Sequence, residues 1–264
     1  MSKSVVITGG AQGQGLSHAC AFAKEGYDIV IGDIFDPDDP IALDPVKKIE
    51  ESGSIAIAVK CDVTNMDDVE AMFAIANDKF GSIDVVISNA GIMTFGPTWG
   101  LTENQVKQTL DINLTGTWRV NKVAAKYMIL QKHGRIINVS STAGLKGTPN
   151  LAHYVMSKFG VIGLTKTLAK ELVSFGITVN VICPTMVKTG MTERTDFLDY
   201  LEAISGVRYS GFDEANEIMS AKRPMGIAFL DAADVSALCV WIATSREARL
   251  ITGATLPLDA GSLL

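Results

Sequence analysis

A tyrosine and a lysine four residues apart carry the clearest chemistry in this sequence. Tyr154 and Lys158 lie in the segment Tyr-Val-Met-Ser-Lys, which has a helical pattern, and positions i and i+4 share a helix face. A phenol has an ordinary pKa of about 10, and a neighbouring ammonium group favours its ionised form. The pair therefore predicts a group that exchanges a proton with a bound substrate. An ordinary pair on a helix surface is the alternative.

Two further polar side chains fit the same chemistry. Ser140 and Ser141 follow the apolar run 136–139, and we predict that Ser141 contacts the reacting oxygen and shares its developing charge. Asn113 lies in a long helical pattern upstream. We predict that it anchors a water that leads protons from Lys158 to solvent.

A glycine-rich turn near the N-terminus predicts a dinucleotide site. Gly9, Gly13 and Gly15 fall in Thr-Gly-Gly-Ala-Gln-Gly-Gln-Gly, between a short apolar run and an apolar helical pattern. Such glycines let backbone N–H groups approach a pyrophosphate at the N-terminus of a helix. An ordinary turn with a helix cap is the alternative, but the placement after a first strand favours dinucleotide binding.

The end of the second strand-like run indicates which dinucleotide binds. Asp33 follows Gly15 by 18 residues, where a carboxylate accepts hydrogen bonds from the adenosine ribose and repels a 2′-phosphate. No lysine or arginine stands beside it in the sequence to hold such a phosphate. We therefore predict NAD rather than NADP. A solvated acidic turn is the alternative, and it fits Asp36, Asp38 and Asp39 better than Asp33.

The elements that must position these residues follow one pattern. Short β-branched runs alternate with longer amphipathic segments, which is typical of βαβ units around a parallel sheet. We predict one Rossmann-type, doubly wound α/β domain over residues 1–264, with a seven-stranded parallel sheet flanked by helices. The predicted strands are 4–7, 28–32, 55–60, 84–88, 134–139, 178–182 and 254–258, and the predicted helices are 14–25, 45–52, 66–79, 103–131, 154–174 and 231–243.

The segment 190–226 belongs to no predicted strand and places aromatic and apolar side chains among charges. These are Phe197, Tyr200, Leu201, Tyr209 and Phe212. We predict a helical substrate lid across the carboxyl edge of the sheet, since segments of this size usually serve function.

Composition excludes several classes of protein. Hydrophobic residues make up 47% of the 264-residue chain and charged residues 20%, which excludes disorder as its main character. A net charge of −6 argues against a nucleic-acid surface, and no apolar run is long enough to predict a membrane span. The four cysteines and three histidines show no metal-ligand spacing, so we expect no metal, free thiols and a cytoplasmic location.

Together these motifs resemble the short-chain dehydrogenase/reductase family over essentially the whole chain. The matching segments are TGGAQGQG at 8–15, CDV at 61–63, SNAG at 88–91, Asn113, SS at 140–141, YVMSK at 154–158, CPTMVKT at 183–189 and ITGATLPLDAG near the C-terminus. The resemblance implies that Asn113, Ser141, Tyr154 and Lys158 form a catalytic tetrad. It also implies a homotetramer.

The resemblance and the residues together give a predicted set of cofactor contacts. The set is Gly9, Gln12, Gly13, Gln14, Gly15, Asp33, Ile34, Asp62, Val63, Asn89, Ala90, Gly91, Tyr154, Lys158, Pro184, Val187 and Thr189. Two positions depart from the family pattern: Ser88 replaces an asparagine, and Thr185 replaces a glycine after Pro184. The Pro-Thr pair, the acidic segment 33–45 and the C-terminal residues are similar to a carveol-dehydrogenase-like sub-group.

These features predict an NAD-dependent oxidoreductase that interconverts a secondary alcohol and a ketone. The predicted substrate contacts are Met93, Phe95, Ser141, Leu145, Tyr154 and Met186, with Ile92, Thr142, Phe197, Tyr200 and Phe212 as further lining. Few of them carry charge, so we expect a hydrophobic small molecule, cyclic, terpenoid or steroid-like. A non-catalytic NAD-binding sensor or scaffold on the same fold is the alternative.

Overall fold

A seven-stranded parallel sheet forms the centre of the protein. The computed structural model describes residues 3–264, and the strands lie in the order β3-β2-β1-β4-β5-β6-β7. The strands are β1 Ser4–Thr8, β2 Asp28–Asp33, β3 Ala56–Lys60, β4 Val85–Ser88, β5 Gly134–Val139, β6 Ile177–Pro184 and β7 Thr255–Leu258. The predicted fold class is therefore confirmed, with strand ends that differ from the predicted ones by at most two residues.

Helices cover both faces of this sheet. They are α1 Gly13–Lys24, α2 Pro40–Glu50, α3 Met66–Phe80, α4 Glu103–Leu110, α5 Thr117–Gln131, α6 Ala152–Leu172, α7 Thr195–Ser205, α8 Phe212–Ser220 and α9 Ala232–Thr244. Within residues 3–264, no helix is both long and apolar enough to cross a membrane.

Alternation along the buried strands builds a core on each face. Val5 and Ile7 of β1 pack into one cluster with Phe22 of α1, whereas Val6 packs on the other face with Phe73 of α3. Both faces of a parallel sheet are covered by helices, so its strands are apolar throughout. The sheet is thus fixed from both sides, and its strand ends are rigid positions for functional groups.

The strand order reverses at the centre of the sheet. β1 pairs with β2 on one side and with β4 on the other, and Thr8 lies opposite Ser88 in the register. At such a switch point the connections leave in opposite directions, so a crevice opens beyond the carboxyl ends of the strands. The glycine turn and the segment 88–91 both begin at this crevice.

Two predicted helical regions differ from the structure, and the predicted helical segment 190–226 contains two helices. α2 begins at Pro40 rather than at 45, because proline suits the first turn of a helix and the Asp39 carboxylate caps the N–H of Ile41. The predicted helix 103–131 is divided into α4 and α5 by a π-helical turn, Asp111–Gly116. The segment 190–226 contains two separate helices, α7 and α8.

Candidate active site

The glycine turn is shaped by close backbone approach. Gly9 has φ +62°, and a Cβ on it would lie 2.9 Å from Cα of Ala90. A Cβ on Gly15 would overlap the carbonyl oxygen of Gly9. Helix α1 begins here at Gly13 with no side-chain cap and no acidic residue in its first turn. Its first N–H groups are therefore available to an anion.

Asp33 closes the turn from the side of β2. One carboxylate oxygen accepts a hydrogen bond from the N–H of Ala11 at 3.0 Å, and the other from the N–H of Ile34 at 2.8 Å. These two bonds hold the carboxylate beside the glycine turn and leave lone pairs for a further donor. The side chain of Ile34, the residue after Asp33, is exposed.

The segment after β4 is bonded to the first strand. The Asn89 side chain donates to the carbonyls of Thr8, at 3.1 Å, and Gly9, at 3.0 Å, and the Thr8 hydroxyl accepts the N–H of Asn89 at 3.1 Å. Asn89 therefore supports the glycine turn directly. Ala90 and Gly91 continue along this edge, and a Cβ on Gly91 would come within 3.7 Å of Nζ of Lys158.

The remaining predicted cofactor contacts lie on the same edge. After β3, the Asp62 carboxylate accepts two bonds from Thr64, at 2.8 Å each, and Val63 is buried. After β6, Val187 forms a bridge with Leu230, and Thr189 lies beside the turn, with its side chain 3.6 Å from a Cβ placed on Gly13.

Tyr154 and Lys158 face each other on α6. Nζ of Lys158 lies 5.4 Å from the centre of the Tyr154 ring and donates to the carbonyl oxygen of Val139 at 3.0 Å. Lys158 is buried with this single acceptor, so two of its N–H groups are left for other partners. The Tyr154 ring packs among apolar residues of the lid region.

Burial dominates the proton affinities of both groups. It raises the pKa of Tyr154 to about 12, against a smaller lowering from the hydrogen bond with Ser141. Burial also lowers the pKa of Lys158 to about 8. We expected a lysine cation and an oxidised nicotinamide together to favour the phenolate. The groups of the protein alone keep the phenol protonated at neutral pH, so the expected ionisation depends on the added positive charge.

The two serines at the end of β5 have different partners. The Ser140 hydroxyl is buried and donates to the carbonyl oxygen of Lys158 at 2.8 Å. The Ser141 hydroxyl is hydrogen-bonded to Tyr154 and accepts the N–H of Ala143 at 3.1 Å. Ser140 thus supports α6, whereas Ser141 is the serine placed beside the phenol.

Asn113 sits in the π-helical turn between α4 and α5. Its amide oxygen accepts the N–H of Ile92 at 2.8 Å, and its amide nitrogen donates to the carbonyl of Ile92 at 2.9 Å and to Ser157 at 3.2 Å. The side chain is therefore committed to protein groups. It ties the segment after β4 to α6, and the local π geometry, often found at functional sites, places it there.

A cavity of about 240 Å³ opens beside Ser141 and Tyr154. It runs from the cofactor edge to the lid. Its wall consists of Gln14, Met93, Ser140, Ser141, Thr142, Ala143, Lys146, Thr148, Leu151, Tyr154, Pro184, Thr185, Met186, Val187, Thr189, Met191, Thr192, Phe197, Tyr200, Leu201, Ile204, Met219, Arg223 and Ser262.

Some predicted substrate contacts lie behind this wall rather than in it. Phe95 stacks on Tyr200 with ring centres 4.6 Å apart, and Phe212 packs against Phe229 at 4.8 Å. Leu145 is exposed, and neither it nor Ile92 belongs to the wall. Phe95 thus supports the lid through Tyr200, whereas Phe212 belongs to the lid and packs on Phe229.

The sequence matches a known family and several known enzymes. The family model for the short chain dehydrogenases matches residues 3–197. The chain belongs to this family. A 3-oxoacyl-[acyl-carrier-protein] reductase of Synechocystis is 35% identical to it, covering 98% of the chain and 96% of the relative. A (-)-trans-carveol dehydrogenase of Rhodococcus erythropolis is 33% identical, with coverages of 98% and 96%.

A solved structure agrees with the fold of this short-chain dehydrogenase in detail. The carveol dehydrogenase of Mycobacterium avium, in complex with NAD, superposes with a TM-score of 0.92 at 30% identity, covering 99% of this chain and 97% of that one. The predicted family is confirmed, and the protein is an oxidoreductase of that family.

Sequence reasoning missed several residues of the cavity wall, and three of them, Lys146, Arg223 and Ser262, bear on the polarity of one side of it. None belongs to a motif, and they come from a loop after β5, the turn after α8 and the C-terminal turn. The one available signal was the change at Thr185, whose hydroxyl accepts a hydrogen bond from Ser262 at 3.2 Å. The Thr185 side chain thus holds the C-terminal turn through a hydrogen bond that a glycine could not form.

Proposed function

We propose that this enzyme uses NAD to interconvert a secondary alcohol and a ketone on a largely apolar substrate. The observation that carries the proposal is the meeting of Ser141 and Tyr154 in one cavity wall with Gln14, Val187 and Thr189 from the cofactor edge. A reacting carbon held between these two sides has a proton donor on one side and the cofactor on the other.

The residues present fit NAD. The uncapped N-terminus of α1 suits a pyrophosphate, and the Asp33 carboxylate suits an unmodified ribose. The side-chain oxygen of Gln14, at the start of α1, is buried and has no hydrogen-bond partner in the protein. It can therefore accept a hydrogen bond from a bound ligand. Relatives named NAD-dependent oxidoreductases and the NAD complex described above support the choice. When bound, NAD supplies the hydride acceptor, and NADH the donor.

Each residue of the predicted tetrad has a task in this reaction. Tyr154 gives its proton to the carbonyl oxygen in reduction, for which a pKa of about 12 keeps it protonated. Ser141 holds the same oxygen by a hydrogen bond. Lys158, fixed by the carbonyl of Val139, has two N–H groups for the hydroxyls of the nicotinamide ribose. Asn113 positions this region through Ile92 and Ser157.

The cavity supports an apolar substrate. Beyond the reacting groups, its wall is dominated by side chains such as Met93, Leu151, Met186, Phe197 and Leu201. Such a wall favours burial of a hydrophobic body. The relatives include enzymes named for carveol and for 3-oxoacyl carrier substrates, and we propose a cyclic, terpenoid or steroid-like ketone or alcohol.

The substitution Tyr154→Phe tests the proposal. It removes the proton donor and keeps the ring, so kcat for ketone reduction should fall by about 10²–10⁴-fold. The dissociation constant of NADH, measured by fluorescence, should change less than about twofold because the ring packing is kept. The control is Tyr127→Phe, whose ring stacks on Phe73 away from the cavity.

Two results would contradict the proposal. A Tyr154→Phe enzyme with the rate of the wild type would remove the phenol from the reaction. Tight NADH binding with no turnover of any ketone or alcohol in a broad panel would favour the non-catalytic sensor or scaffold. The homotetramer and the cytoplasmic location stay predictions, and light scattering of the purified protein checks the former.

A further inference from the structure

We propose that the substrate carries a carboxylate in addition to the carbon that reacts, and that Arg223 and Lys146 bind it. This inference rests on the proposed function and narrows its substrate class. The two residues lie in the wall of the cavity that also holds Ser141 and Tyr154.

The charge of the cavity wall is opposite to that of the protein. The chain has 29 acidic and 23 basic residues and a net charge of −6. Among the wall residues there is no aspartate or glutamate, and the two charged members are Lys146 and Arg223. A wall whose only charges are two cations, beside several apolar side chains, favours a molecule with an apolar body and one anionic group.

Arg223 is held in place but has no acidic partner. It lies in the turn after α8, where its N–H donates to the carbonyl of Ser220 at 3.0 Å and its carbonyl accepts the N–H of Gly226 at 3.0 Å. Its side chain is half-buried and makes no ion pair or hydrogen bond with any residue of 3–264. By contrast, Arg194 is paired with Asp196 through two hydrogen bonds.

An unpaired guanidinium beside a cavity is suited to a carboxylate. Its planar fork offers parallel N–H groups that match the two oxygens, and partial burial strengthens such a pair. A carboxylate that replaces water at these partly buried donors forms a charge-assisted hydrogen bond and so gains affinity.

Lys146 is brought to the same wall by the C-terminal turn. Its Nζ donates to the carbonyl of Ser262 at 2.7 Å and keeps two further N–H groups. Gly261 of this turn packs against Pro224, because a Cβ placed on this glycine would lie 3.2 Å from Cβ of the proline. The C-terminal turn therefore links Lys146 to the residue next to Arg223.

Matched ligands separate the carboxylate from the rest of the substrate. The reacting pair is 3-(4-oxocyclohexyl)propanoate and its methyl ester, and the non-reacting pair is cyclohexanepropanoate and its methyl ester. The enzyme loaded with NADH should reduce the acid with a kcat/KM about 10- to 100-fold above that of the ester, as expected for a charge-assisted bond. Calorimetry on the NAD-loaded enzyme should show the same preference with the non-reacting pair.

The variants assign the preference to the two cations. Arg223→Gln should remove most of it through KM, Arg223→Lys should keep part of it, and Lys146→Gln should reduce it less because Lys146 is exposed. Arg246→Gln removes the same charge at an exposed position outside the wall and should leave the preference unchanged. The dissociation constant of NADH should be the same in all four variants.

Several results would overturn the inference. They are equal binding of acid and ester by the wild type, an unchanged preference in both Arg223→Gln and Lys146→Gln, and a weakened NADH affinity in Arg223→Gln. Binding of cyclohexanepropanoate that depends on Arg223, without reduction of any ketone, would contradict the proposed reaction but not the carboxylate site. Reduction of ketones with no preference for the acid would contradict the carboxylate site but not the proposed reaction.

Discussion

The two walls of the candidate active site are built in different ways. The cofactor wall consists of strand ends and tight turns, where Asn89 bonds to Thr8 and Gly9 and a Cβ on Gly15 finds no space. The lid wall consists of side chains, with Phe197 and Tyr200 packed on Phe95. Under the proposed function, backbone geometry recognises the cofactor that every turnover shares, and side chains on a separate element select the substrate.

The largest effect should come from breaking the cofactor wall at Gly15. In Gly15→Ala the new methyl group overlaps the carbonyl of Gly9, a backbone atom that cannot move without opening the turn. We expect NADH affinity to fall by about 100-fold or more, together with a loss of about 1–3 kcal/mol in stability typical of overpacking. Titration fluorimetry and urea unfolding measure the two quantities.

Gly163→Ala is the matched control. Nothing lies within 4 Å of a Cβ on this helical glycine, so alanine should keep NADH affinity and stabilise α6 by about 0.5–1 kcal/mol. Binding of NADH by Gly15→Ala as tight as that of this control would contradict the expectation. The glycine turn would then accommodate a methyl group, and the cofactor wall would not be rigid as its contacts indicate.

This contrast also explains what could be predicted from the sequence. The spacing from the glycine turn to Asp33, and from Tyr154 to Lys158, is set by strand and helix geometry, so both groups were predictable. Ser141 was likewise predicted, but the bond from Ser140 to the carbonyl oxygen of Lys158 has no sequence signal and depends on packing.

Other features depend on contacts between distant segments and have no local pattern. The π-helical turn at Asp111–Gly116 interrupts a sequence with continuous helical periodicity. Arg223 reaches the cavity wall because the turn after α8 packs on the C-terminal turn, nearly forty residues further along the chain. Phe95 and Phe212 have the apolar character of wall residues but lie outside the wall, because Phe95 packs on the outer side of Tyr200 and Phe212 packs on Phe229, which is itself outside the wall.

The choice of dinucleotide tests the cofactor wall at a second point. Asp33→Asn keeps an oxygen acceptor beside the glycine turn and removes the negative charge. The ratio of kcat/KM for NADH over NADPH should fall by about 10- to 100-fold, because the repulsion of a 2′-phosphate is lost. Asp36→Asn is the control, since Asp36 is paired with Lys60 at 2.8 Å on the exposed side. An equal change in both variants would mean that net charge, not the position of Asp33, sets the preference.

The pH dependence of the reaction rates tests how strongly burial between the two walls raises the pKa of Tyr154. With its pKa raised to about 12, the phenol stays protonated, so reduction with NADH should be flat between about pH 6 and 8. Oxidation needs the phenolate and should rise by about tenfold per pH unit until it reaches a plateau. The plateau should come at lower pH than any fall in reduction, because NAD⁺ brings a positive charge that NADH lacks.

Two further titrations sharpen this profile. The pKa of Lys158 is lowered to about 8, so its charge is present below that pH and is lost above it, which should weaken oxidation on the alkaline side. The bond from Ser141 lowers the pKa of Tyr154, so Ser141→Ala should move the oxidation profile to higher pH. A reduction rate that falls between about pH 6 and 8 would place the phenol's pKa in that range and contradict the dominance of burial.

The smallest effect should come from the contact between lid and strand edge. Arg194 precedes α7, and its guanidinium donates to the carbonyl of Met93 at 3.1 Å while Asp196 holds it in place. In Arg194→Leu this link is lost, and KM should rise by about 3- to 10-fold, the value of one hydrogen bond, with kcat nearly unchanged. Arg208→Leu, at an exposed position between α7 and α8, is the control and should leave KM unchanged. Since the proposed proton donor lies on α6 and the glycine turn precedes α1, loosening the lid should weaken substrate binding only. A large fall in kcat at constant KM would show instead that the lid positions the reacting groups, and the division of tasks between the two walls would be wrong.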